Sequence, residues 1–292
     1  MKGRVIKIWS QWATVMVPEG PILARPRGKL LSERVLVGDE VEVKLLPDGR
    51  GLILRIEERR NQLQRPPVAN VDRLLLVFSR RAPEVGAEWV DRVLLQGEWW
   101  RLDIALFLNK SDLLSPKERE EAETFLEVYR RAGYGAWLGS AQEKENLEEV
   151  RAFLEAEGVA VLAGESGVGK SRLLNALNPQ LALPSGAVSE KTGRGRHTTR
   201  HPQLLPMGKG WVVDTPGFSR LVLPPVEPAD LGNLFPEIRA FSSRCRFRDC
   251  LHRNEPGCAV REAVLSGQVD EGRFGRYLQF LEELLEERKK LY

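Results

Sequence analysis

Three residue types that often carry function are scarce in this sequence: cysteine, histidine and methionine occur three times each in 292 residues. Long apolar runs are absent as well, and stretches such as residues 74–78 are far shorter than the roughly 20 apolar residues of a membrane-spanning helix. Residues 1–5 lead into an alternating pattern and not into the apolar core of a signal peptide. We therefore expect a cytoplasmic protein with no membrane association.

A strong charge of one sign is also missing. With 44 basic and 41 acidic residues the formal net charge is +3, so the composition requires no polyanionic partner, although it allows local basic patches. The 42% of hydrophobic and 29% of charged residues are typical of a globular protein. A chain of 292 residues is too long to fold easily around a single hydrophobic core, so we expect two or three domains.

Residues 1–64 have the pattern of a small all-β domain. The clearest run, 41–45, alternates apolar and charged residues as a half-buried strand does, between turn signals at 38–39 and 47–49. Several short strands within about sixty residues favour an OB-like barrel, with another small barrel or a meander as the alternative. The strand-like runs are residues 4–8, 13–17, 22–24, 41–45 and 52–56.

Residues 65–222 change to an α/β pattern after the tract Arg65-Pro66-Pro67, which we interpret as a linker. Nearly continuous apolar runs alternate with helical stretches, and this alternation predicts a parallel sheet buried on both faces. A third region, 223–292, opens with two prolines and closes with a predicted helix over 270–291. The apolar runs are residues 74–78, 104–108, 136–138, 159–163 and 211–213; the helical stretches are 87–101, 116–132 and 147–157.

A phosphate-binding loop follows the apolar run 159–163, where the sequence reads G-E-S-G-V-G-K-S before a helical stretch. The glycines let backbone N–H groups converge on phosphates, and the helix N-terminus adds a partial positive charge. Lys170 is expected to reach the β- and γ-phosphates and Ser171 to bind Mg²⁺. The alternative is a glycine-rich turn without a ligand. The expected nucleotide contacts are Gly164, Glu165, Ser166, Gly167, Val168, Gly169, Lys170 and Ser171.

The nucleotide base is indicated by the N-K-x-D pattern after the run 104–108. A carboxylate at Asp112 accepts from both N1–H and N2–H of guanine, whereas adenine offers an acceptor at N1, so a kinase or nucleotidase that uses ATP is disfavoured. Asn109 is expected to tie the base to the phosphate loop, and the Ala141 N–H to meet guanine O6. The alternative is a polar turn that caps a helix. The expected guanine contacts are Asn109, Lys110, Ser111, Asp112, Ser140 and Ala141.

The order of these motifs is unusual for a GTPase. N-K-S-D and S-A precede the phosphate loop, and a D-x-x-G motif follows the run 211–213. In that motif Asp214 is expected to hold Mg²⁺ through water and the Gly217 N–H to meet the γ-phosphate. Thr198 and Thr199, in the polar stretch before it, are candidate switch threonines for Mg²⁺. The sequence therefore predicts a circularly permuted GTPase domain, a rearrangement that a fold with neighbouring termini tolerates.

The cysteines form a metal-ligand pattern with one of the histidines. Cys245, Cys250, His252 and Cys258 supply three thiolates and one imidazole, a full tetrahedral set for one structural zinc ion that leaves no position open for chemistry. A disulfide with one free cysteine, or three unrelated thiols, are the alternatives. A zinc ion here would add folding energy to a segment that is poor in apolar residues.

With these motifs in this order, the whole chain resembles the ribosome small subunit-dependent GTPases (RsgA, also called YjeQ), a family of circularly permuted GTPases. The resemblance implies an OB-like barrel, a permuted GTPase domain and a zinc-binding helical domain, here residues 1–64, 65–222 and 223–292. It implies GTP hydrolysis that the small ribosomal subunit stimulates, in the late maturation of that subunit. The family's C-terminal domain carries the same Cys/His ligand pattern, and its polar loop carries a G-R-G-x-H-T-T stretch.

The group that orients the attacking water is not obvious from the sequence. Many GTPases place a glutamine directly after D-x-x-G, but here that position is Phe218. His197, which precedes the two threonines, is the best internal candidate, because a neutral imidazole accepts a hydrogen bond from water. The alternative for His197 is a contact with RNA. A GTP-gated rRNA-binding assembly factor with negligible hydrolysis is the rival function that Phe218 favours.

The expected partners are the small ribosomal subunit and its rRNA, bound by a chain for which nothing demands more than a monomer. An OB barrel binds single strands through aromatic and basic side chains, although the two tryptophans could equally belong to the barrel core. Arginines around the Cys/His cluster suggest a second phosphate-binding surface or a solvated charged face. The barrel candidates are Lys7, Trp9, Trp12, Arg25, Arg27 and Lys29; those of the cluster are Arg244, Arg246, Arg248 and Arg253.

Overall fold

The computed structural model describes residues 1–28, 34–64, 66–81, 83–183, 202–213 and 222–290. Its first unit is a closed barrel with the strand order β1-β2-β3-β5-β4. Parallel pairing of β3 with β5 and antiparallel pairing of β1 with β4 close the barrel, so the OB-like prediction is confirmed and the meander is wrong. The strands are β1 (Lys2–Trp9), β2 (Trp12–Val17), β3 (Gly20–Pro26), β4 (Glu40–Leu45) and β5 (Gly51–Ile56).

Apolar residues at alternate strand positions fill the barrel, as the period of a strand requires. The tryptophans are not among them: Trp9 is 39% exposed, and Trp12, its partner across the β1–β2 hairpin, lies outside the core cluster. The alternative that both tryptophans belong to the barrel core is therefore wrong. The buried core residues of the barrel are Val5, Ala13, Val15, Val17, Ala24, Val41, Val43 and Ile53.

A small hairpin occupies the region expected to be a linker. Strands β6 (Gln62–Gln64) and β7 (Pro67–Ala69) pair antiparallel on either side of residue 65. The Ala69 N–H donates to the Val37 carbonyl at 2.9 Å, and the Arg59 guanidinium donates to both carboxylate oxygens of the fully buried Asp39 at 2.7 and 2.9 Å. The barrel is thus fastened to the hairpin rather than joined to the next unit by a free tether.

The second unit is a sheet of six strands in the order β10-β9-β8-β11-β13-β12. Every neighbouring pair is parallel except β12 with β13, which are antiparallel at the edge. The five parallel strands confirm the predicted α/β pattern; the edge strand β12, which contains Pro206, was not predicted. The strands are β8 (Arg73–Phe78), β9 (Asp103–Leu108), β10 (Gly135–Leu138), β11 (Val159–Ala163), β12 (Leu204–Met207) and β13 (Gly210–Val213).

Helices cover both faces of this sheet. Successive residues of the fully buried strand β8 point to opposite sides: Leu74 belongs to one hydrophobic cluster and Leu75 to the other. Helix α2 begins with a capping box, in which Ser115 and Glu118 satisfy each other's backbone N–H groups. The helices are α1 (Ala87–Trp99), α2 (Pro116–Arg131), α3 (Glu148–Glu155) and α4 (Lys170–Leu177).

The third unit is helical and packs against α1. Its helices are α5 (Pro236–Ser242), α6 (Ala259–Leu265) and α7 (Glu271–Lys289), preceded by a 3-10 segment, Pro228–Leu234. Apolar side chains of α7 bury against Phe235 and Ile238, as the predicted helical face requires, and Leu95 of α1 belongs to the same cluster. Across the described part of the chain, no helix has the length and apolarity to cross a membrane.

Candidate functional site

The phosphate-binding loop connects β11 to α4 in a backbone conformation that requires glycine. Gly164 has φ 155° and Gly169 has φ 100°, both in the region that side chains rarely adopt. A Cβ at Gly164 would lie 2.2 Å from the Val77 carbonyl oxygen, and one at Gly169 would lie 2.5 Å from Asn109 Nδ2. At these two positions the loop therefore lies directly against the ends of β8 and β9, with no space for a side chain.

Lys170 is the first residue of α4, and its side chain turns back over the loop. The Nζ atom donates hydrogen bonds to the carbonyl oxygens of Gly164 at 2.8 Å and Glu165 at 2.9 Å. The ammonium group is thus held at the loop that would surround the phosphates, and Ser171 follows it in the first turn of the helix.

Asn109 joins the three motif segments into one site. It is 2% exposed, follows β9, and donates from Nδ2 to the Val168 carbonyl of the phosphate loop at 2.8 Å. Its Oδ1 accepts the Ala141 N–H at 2.9 Å. The N–H of Ala141, expected to face guanine O6, therefore forms the link to Asn109 in this structure. The N-K-S-D, S-A and phosphate-loop segments meet at the carboxyl edge of the sheet, where α/β proteins bind ligands.

Asp112 lies exposed in the one-turn 3-10 segment Ser111–Leu113, after Lys110 with φ 67°. The Ser140 hydroxyl donates to its Oδ1, and that hydroxyl accepts the N–H groups of Gln142 at 3.2 Å and Glu143 at 3.1 Å. One carboxylate oxygen of Asp112 is thus anchored to the S-A segment. The pKa of Lys110 is lowered, chiefly by burial and then by the charge of Arg172, while Asp112 acts in the opposite direction.

Two residues of this site were missed by the sequence analysis, Arg119 and Glu145. Glu145 Oε2 accepts the Ser111 hydroxyl at 2.6 Å, and the Arg119 guanidinium donates to the same carboxylate at 2.8 and 3.1 Å. No motif marks these residues, because they are ordinary members of polar stretches that only the fold brings together.

Several predicted residues lie outside the described parts of the chain: His197, Thr198, Thr199, Asp214, Gly217 and Lys29. The strand before the D-x-x-G motif is described. It is β13, which ends at Val213 and pairs in parallel with β11, the strand that leads into the phosphate loop.

The Cys/His cluster in the third unit has the dimensions of a metal site. The ligand atoms of Cys245, Cys250, His252 and Cys258 all lie within 4.8 Å of one another. His252 Nδ1 is 3.6 Å from Cys245 Sγ and 3.4 Å from Cys258 Sγ, and those two sulfurs are 4.0 Å apart. Tetrahedral zinc with usual bond lengths places its ligands about 3.5 Å (S to N) and about 3.8 Å (S to S) apart.

The thiols are free, so the alternative of a disulfide is wrong. Cys250, His252 and Cys258 are buried. Burial raises the pKa of the Cys250 thiol to about 12 and lowers the pKa of His252, which favours a neutral imidazole with a lone pair to share. The Tyr277 hydroxyl on α7 donates to the Leu251 carbonyl at 2.8 Å and ties the ligand loop to the helical core.

Comparison with known proteins decides the family. A model of the RsgA GTPase family matches residues 56–224, more than half of the 292-residue chain. The chain belongs to this family. As a member of the RsgA GTPases it is a P-loop GTP-hydrolysing enzyme with the permuted motif order found above.

Curated relatives and solved structures agree with this membership along the whole chain. Proteins named small ribosomal subunit biogenesis GTPase RsgA are 41% identical in Halalkalibacterium halodurans and 43% identical in Geobacillus kaustophilus, each alignment covering 100% of this chain and 99% of the relative. The crystal structure of YloQ, described as a circularly permuted GTPase, is similar with TM-score 0.84 and 34% identity over 98% of this chain and 95% of that one. The crystal structure of YjeQ from Thermotoga maritima gives TM-score 0.84 and 36% identity over 97% and 98%.

The surfaces expected to contact RNA are exposed. Lys7 Nζ lies 6.0 Å from the centre of the Trp9 ring, and the Arg50 guanidinium lies 5.8 Å from the Trp12 ring, so the aromatic pair of the barrel carries flanking cations. Arg253 forms an ion pair with Glu282 at 3.0 Å. The other predicted arginines that the structure describes are exposed: Arg25, Arg27, Arg244, Arg246 and Arg248.

Proposed function

We propose that this GTPase acts in the biogenesis of the small ribosomal subunit and hydrolyses GTP to GDP and phosphate in response to that subunit. The observation that carries the GTP-hydrolysing part of the proposal is the contact of Asn109 with both Val168 and Ala141, which joins the predicted guanine-binding and phosphate-binding segments despite their permuted order. The curated relatives above carry the name of this process. Stimulation of hydrolysis by the small subunit is implied by the resemblance to the RsgA family.

The nucleotide contacts follow from the chemistry of each segment. Asp112 would accept N1–H and N2–H of guanine, with Lys110 covering the base and Ser140 holding the carboxylate. The backbone N–H groups of residues 164–169 and the Lys170 ammonium would surround the phosphates. The glycine positions without space for a Cβ fit such a cradle, because phosphates need close approach to the backbone.

Mg²⁺ would be held by Ser171 and, through water, by Asp214, with Thr198 and Thr199 as switch ligands and the Gly217 N–H at the γ-phosphate. The ion supplies neutralisation of charge that develops on the phosphate oxygens. His197 is the proposed group that orients the attacking water. In this scheme Lys170 stabilises the transferring phosphoryl group by its fixed positive charge.

One structural zinc ion would occupy the cluster of Cys245, Cys250, His252 and Cys258. The donor set, the burial and the spacing of the ligand atoms all suit zinc. With four protein ligands, the ion would stabilise the loop before α6 and take no part in hydrolysis.

The proposed partners are the small subunit and its rRNA, bound by a monomeric, cytoplasmic chain. Trp9 and Trp12, half-exposed and flanked by cations, form a surface suited to stacking with unpaired bases. The arginines around the zinc cluster would contact phosphates. Binding through such patches depends on ion release, so it should weaken steeply with salt.

The second candidate function is a GTP-gated rRNA-binding factor with negligible hydrolysis, which Phe218 at the glutamine position favours. Single-turnover hydrolysis of radiolabelled GTP, with and without purified small subunits, separates the two. The proposal predicts strong stimulation in the native chain, and normal GTP binding without stimulation in His197→Ala. An unstimulated native chain that still binds GTP tightly would favour the gated factor, and a fully stimulated His197→Ala would remove His197 from catalysis.

A further inference from the structure

The loop of residues 139–146, here called the guanine loop, is closed by a pair of backbone hydrogen bonds. The Ser140 N–H donates to the Glu145 carbonyl at 3.1 Å, and the Glu145 N–H donates back to the Ser140 carbonyl at 2.9 Å. A Cβ at Gly139 would lie 2.4 Å from the Glu145 carbonyl oxygen, so the closure is tight. A contact that fixes the position of Glu145 therefore also fixes the position of Ser140, whose hydroxyl donates to Asp112.

The Glu145 side chain then connects this loop to the N-K-S-D segment. Its carboxylate accepts the hydroxyl of Ser111 at 2.6 Å, and the Ser111 N–H donates to the Gly139 carbonyl at 3.0 Å. Ser111 is fully buried and precedes Asp112 directly. Asp112 is thus held on two sides, through its own carboxylate by Ser140 and through its neighbour by Glu145.

Arg119 of α2 keeps the Glu145 carboxylate in place. Its two terminal nitrogens donate to the two carboxylate oxygens at 2.8 and 3.1 Å, a fork geometry that fixes orientation as well as distance. The hydrogen bond from Arg119, and then that from Ser111, lowers the pKa of Glu145, so the group is charged at neutral pH.

We infer that Glu145 is a positioning residue for guanine recognition: it sets the affinity and selectivity for guanine by fixing Ser111 and Ser140 around Asp112, without contacting the nucleotide. The inference rests on the proposed role of Asp112 as the guanine acceptor. It assigns to Arg119 the task of holding Glu145, and it makes helix α2 a support of the base pocket.

The test is the affinity of nucleotide-free Glu145→Ala for GDP and for IDP, whose base lacks the N2 amino group. A misplaced Asp112 loses two hydrogen bonds to guanine but only one to hypoxanthine. We expect GDP binding to weaken by at least about tenfold and IDP binding to weaken less, because charge-assisted hydrogen bonds are worth that much. The matched control is Glu123→Ala, which removes an exposed ion pair with Arg130 on α2, the helix that also carries Arg119.

A second variant and a second readout separate positioning from damage to the fold. Glu145→Gln keeps an acceptor for Ser111 and should fall between the native chain and Glu145→Ala, and in both variants KM for GTP should rise more than kcat falls. Unchanged GDP affinity, or equal losses for GDP and IDP, would overturn the inference. Asp112→Asn, assayed with GDP and XDP, tests the proposed function separately: without a shift towards XDP that proposal fails, whereas a shift together with an unaffected Glu145→Ala defeats only the present inference.

Discussion

At the scale of single residues, Gly169 of the phosphate loop differs from Gly133, which follows α2, in its surroundings rather than in its backbone conformation. Gly169 and Gly133 have almost the same φ, +100° and +101°, yet a Cβ at Gly169 would lie 2.5 Å from Asn109 Nδ2 while nothing lies within 4 Å of one at Gly133. An alanine would therefore suffer the same backbone strain at both positions. Of the two, only an alanine at Gly169 would also bring its Cβ into collision with Asn109.

Substitution of each of these two glycines by alanine separates the effect of backbone strain from that of the collision. Both Gly169→Ala and Gly133→Ala should lose about 1 kcal/mol of unfolding free energy from the left-handed conformation. Gly169→Ala should in addition displace Asn109 and weaken GDP binding by more than tenfold, measured by fluorescent-nucleotide titration beside urea unfolding. Equal GDP affinity in the two variants would show that the contact with Asn109 does not hold the loop.

The sequence was sufficient to predict which segments meet where a local motif marks them. The phosphate loop, N-K-S-D and the Cys/His set each combine a residue type with a short spacing. Glu145 was not predictable, because its bond to Ser111 spans 34 positions and follows from the way α2 and the guanine loop pack. The environment of Trp9 and Trp12 was ambiguous for a related reason: alternation places them on a strand but does not say which face is the core.

At the scale of secondary-structure elements, a buried arginine of α7 forms ion pairs with both α1 and α5. Arg273 is 2% exposed and donates to Asp91 Oδ1 of α1 at 2.7 Å and to both carboxylate oxygens of Glu237 on α5. Its guanidinium lies 5.0 Å from the centre of the Tyr129 ring on α2. One side chain thus connects the helical unit that carries the Cys/His cluster to the GTPase unit.

Removing this arginine should be costly. Arg273→Ala leaves Asp91 and Glu237 buried with less compensation, so we expect a loss of about 3–5 kcal/mol in unfolding free energy. Arg288→Ala is the control on the same helix: its ion pair with Glu227 is exposed, and the change should stay within about 0.5 kcal/mol. Urea unfolding followed by far-UV circular dichroism measures both, and a similar small loss in both would contradict the assigned importance of Arg273.

The Cys/His cluster should bind zinc, and the ion should hold its loop in place. The purified chain should contain one zinc ion by elemental analysis, and Cys250→Ser should contain far less. Removal of the metal with a chelator should expose the 245–258 loop to protease, and added zinc should restore protection. A metal-free chain with the same protease resistance as the native one would refute a structural role for the ion.

Elements were predictable where periodicity is strong. The parallel strands and the helices on them follow from buried apolar runs and helical stretches. Strand β12 was missed because it has four residues, one of them a proline, and takes its place only by pairing with β13 at the sheet edge. The hairpin of β6 and β7 was missed because two prolines look like a linker, while its hydrogen bonds to the barrel arise from tertiary contact.

At the scale of the whole molecule, the barrel, the GTPase unit and the helical unit are in direct contact. Lys7 of β1 forms an isolated antiparallel bridge with Gln203, next to β12, and Ile6 and Ile8 of the same strand pack against the core of the α/β unit. The aromatic surface of the barrel, which we propose binds RNA, therefore begins on a strand that also touches the GTPase sheet.

Guanine recognition by Asp112 is tested most directly by subunit-stimulated phosphate release from GTP and from XTP, measured for the native chain and for Asp112→Asn. We predict that small subunits stimulate the native chain with GTP and the variant with XTP, because the substitution exchanges an acceptor for a donor opposite the base. Stimulation should be absent with large subunits. If Asp112→Asn still uses GTP as well as the native chain does, the permuted N-K-S-D segment does not recognise the base, and the account of this site is wrong.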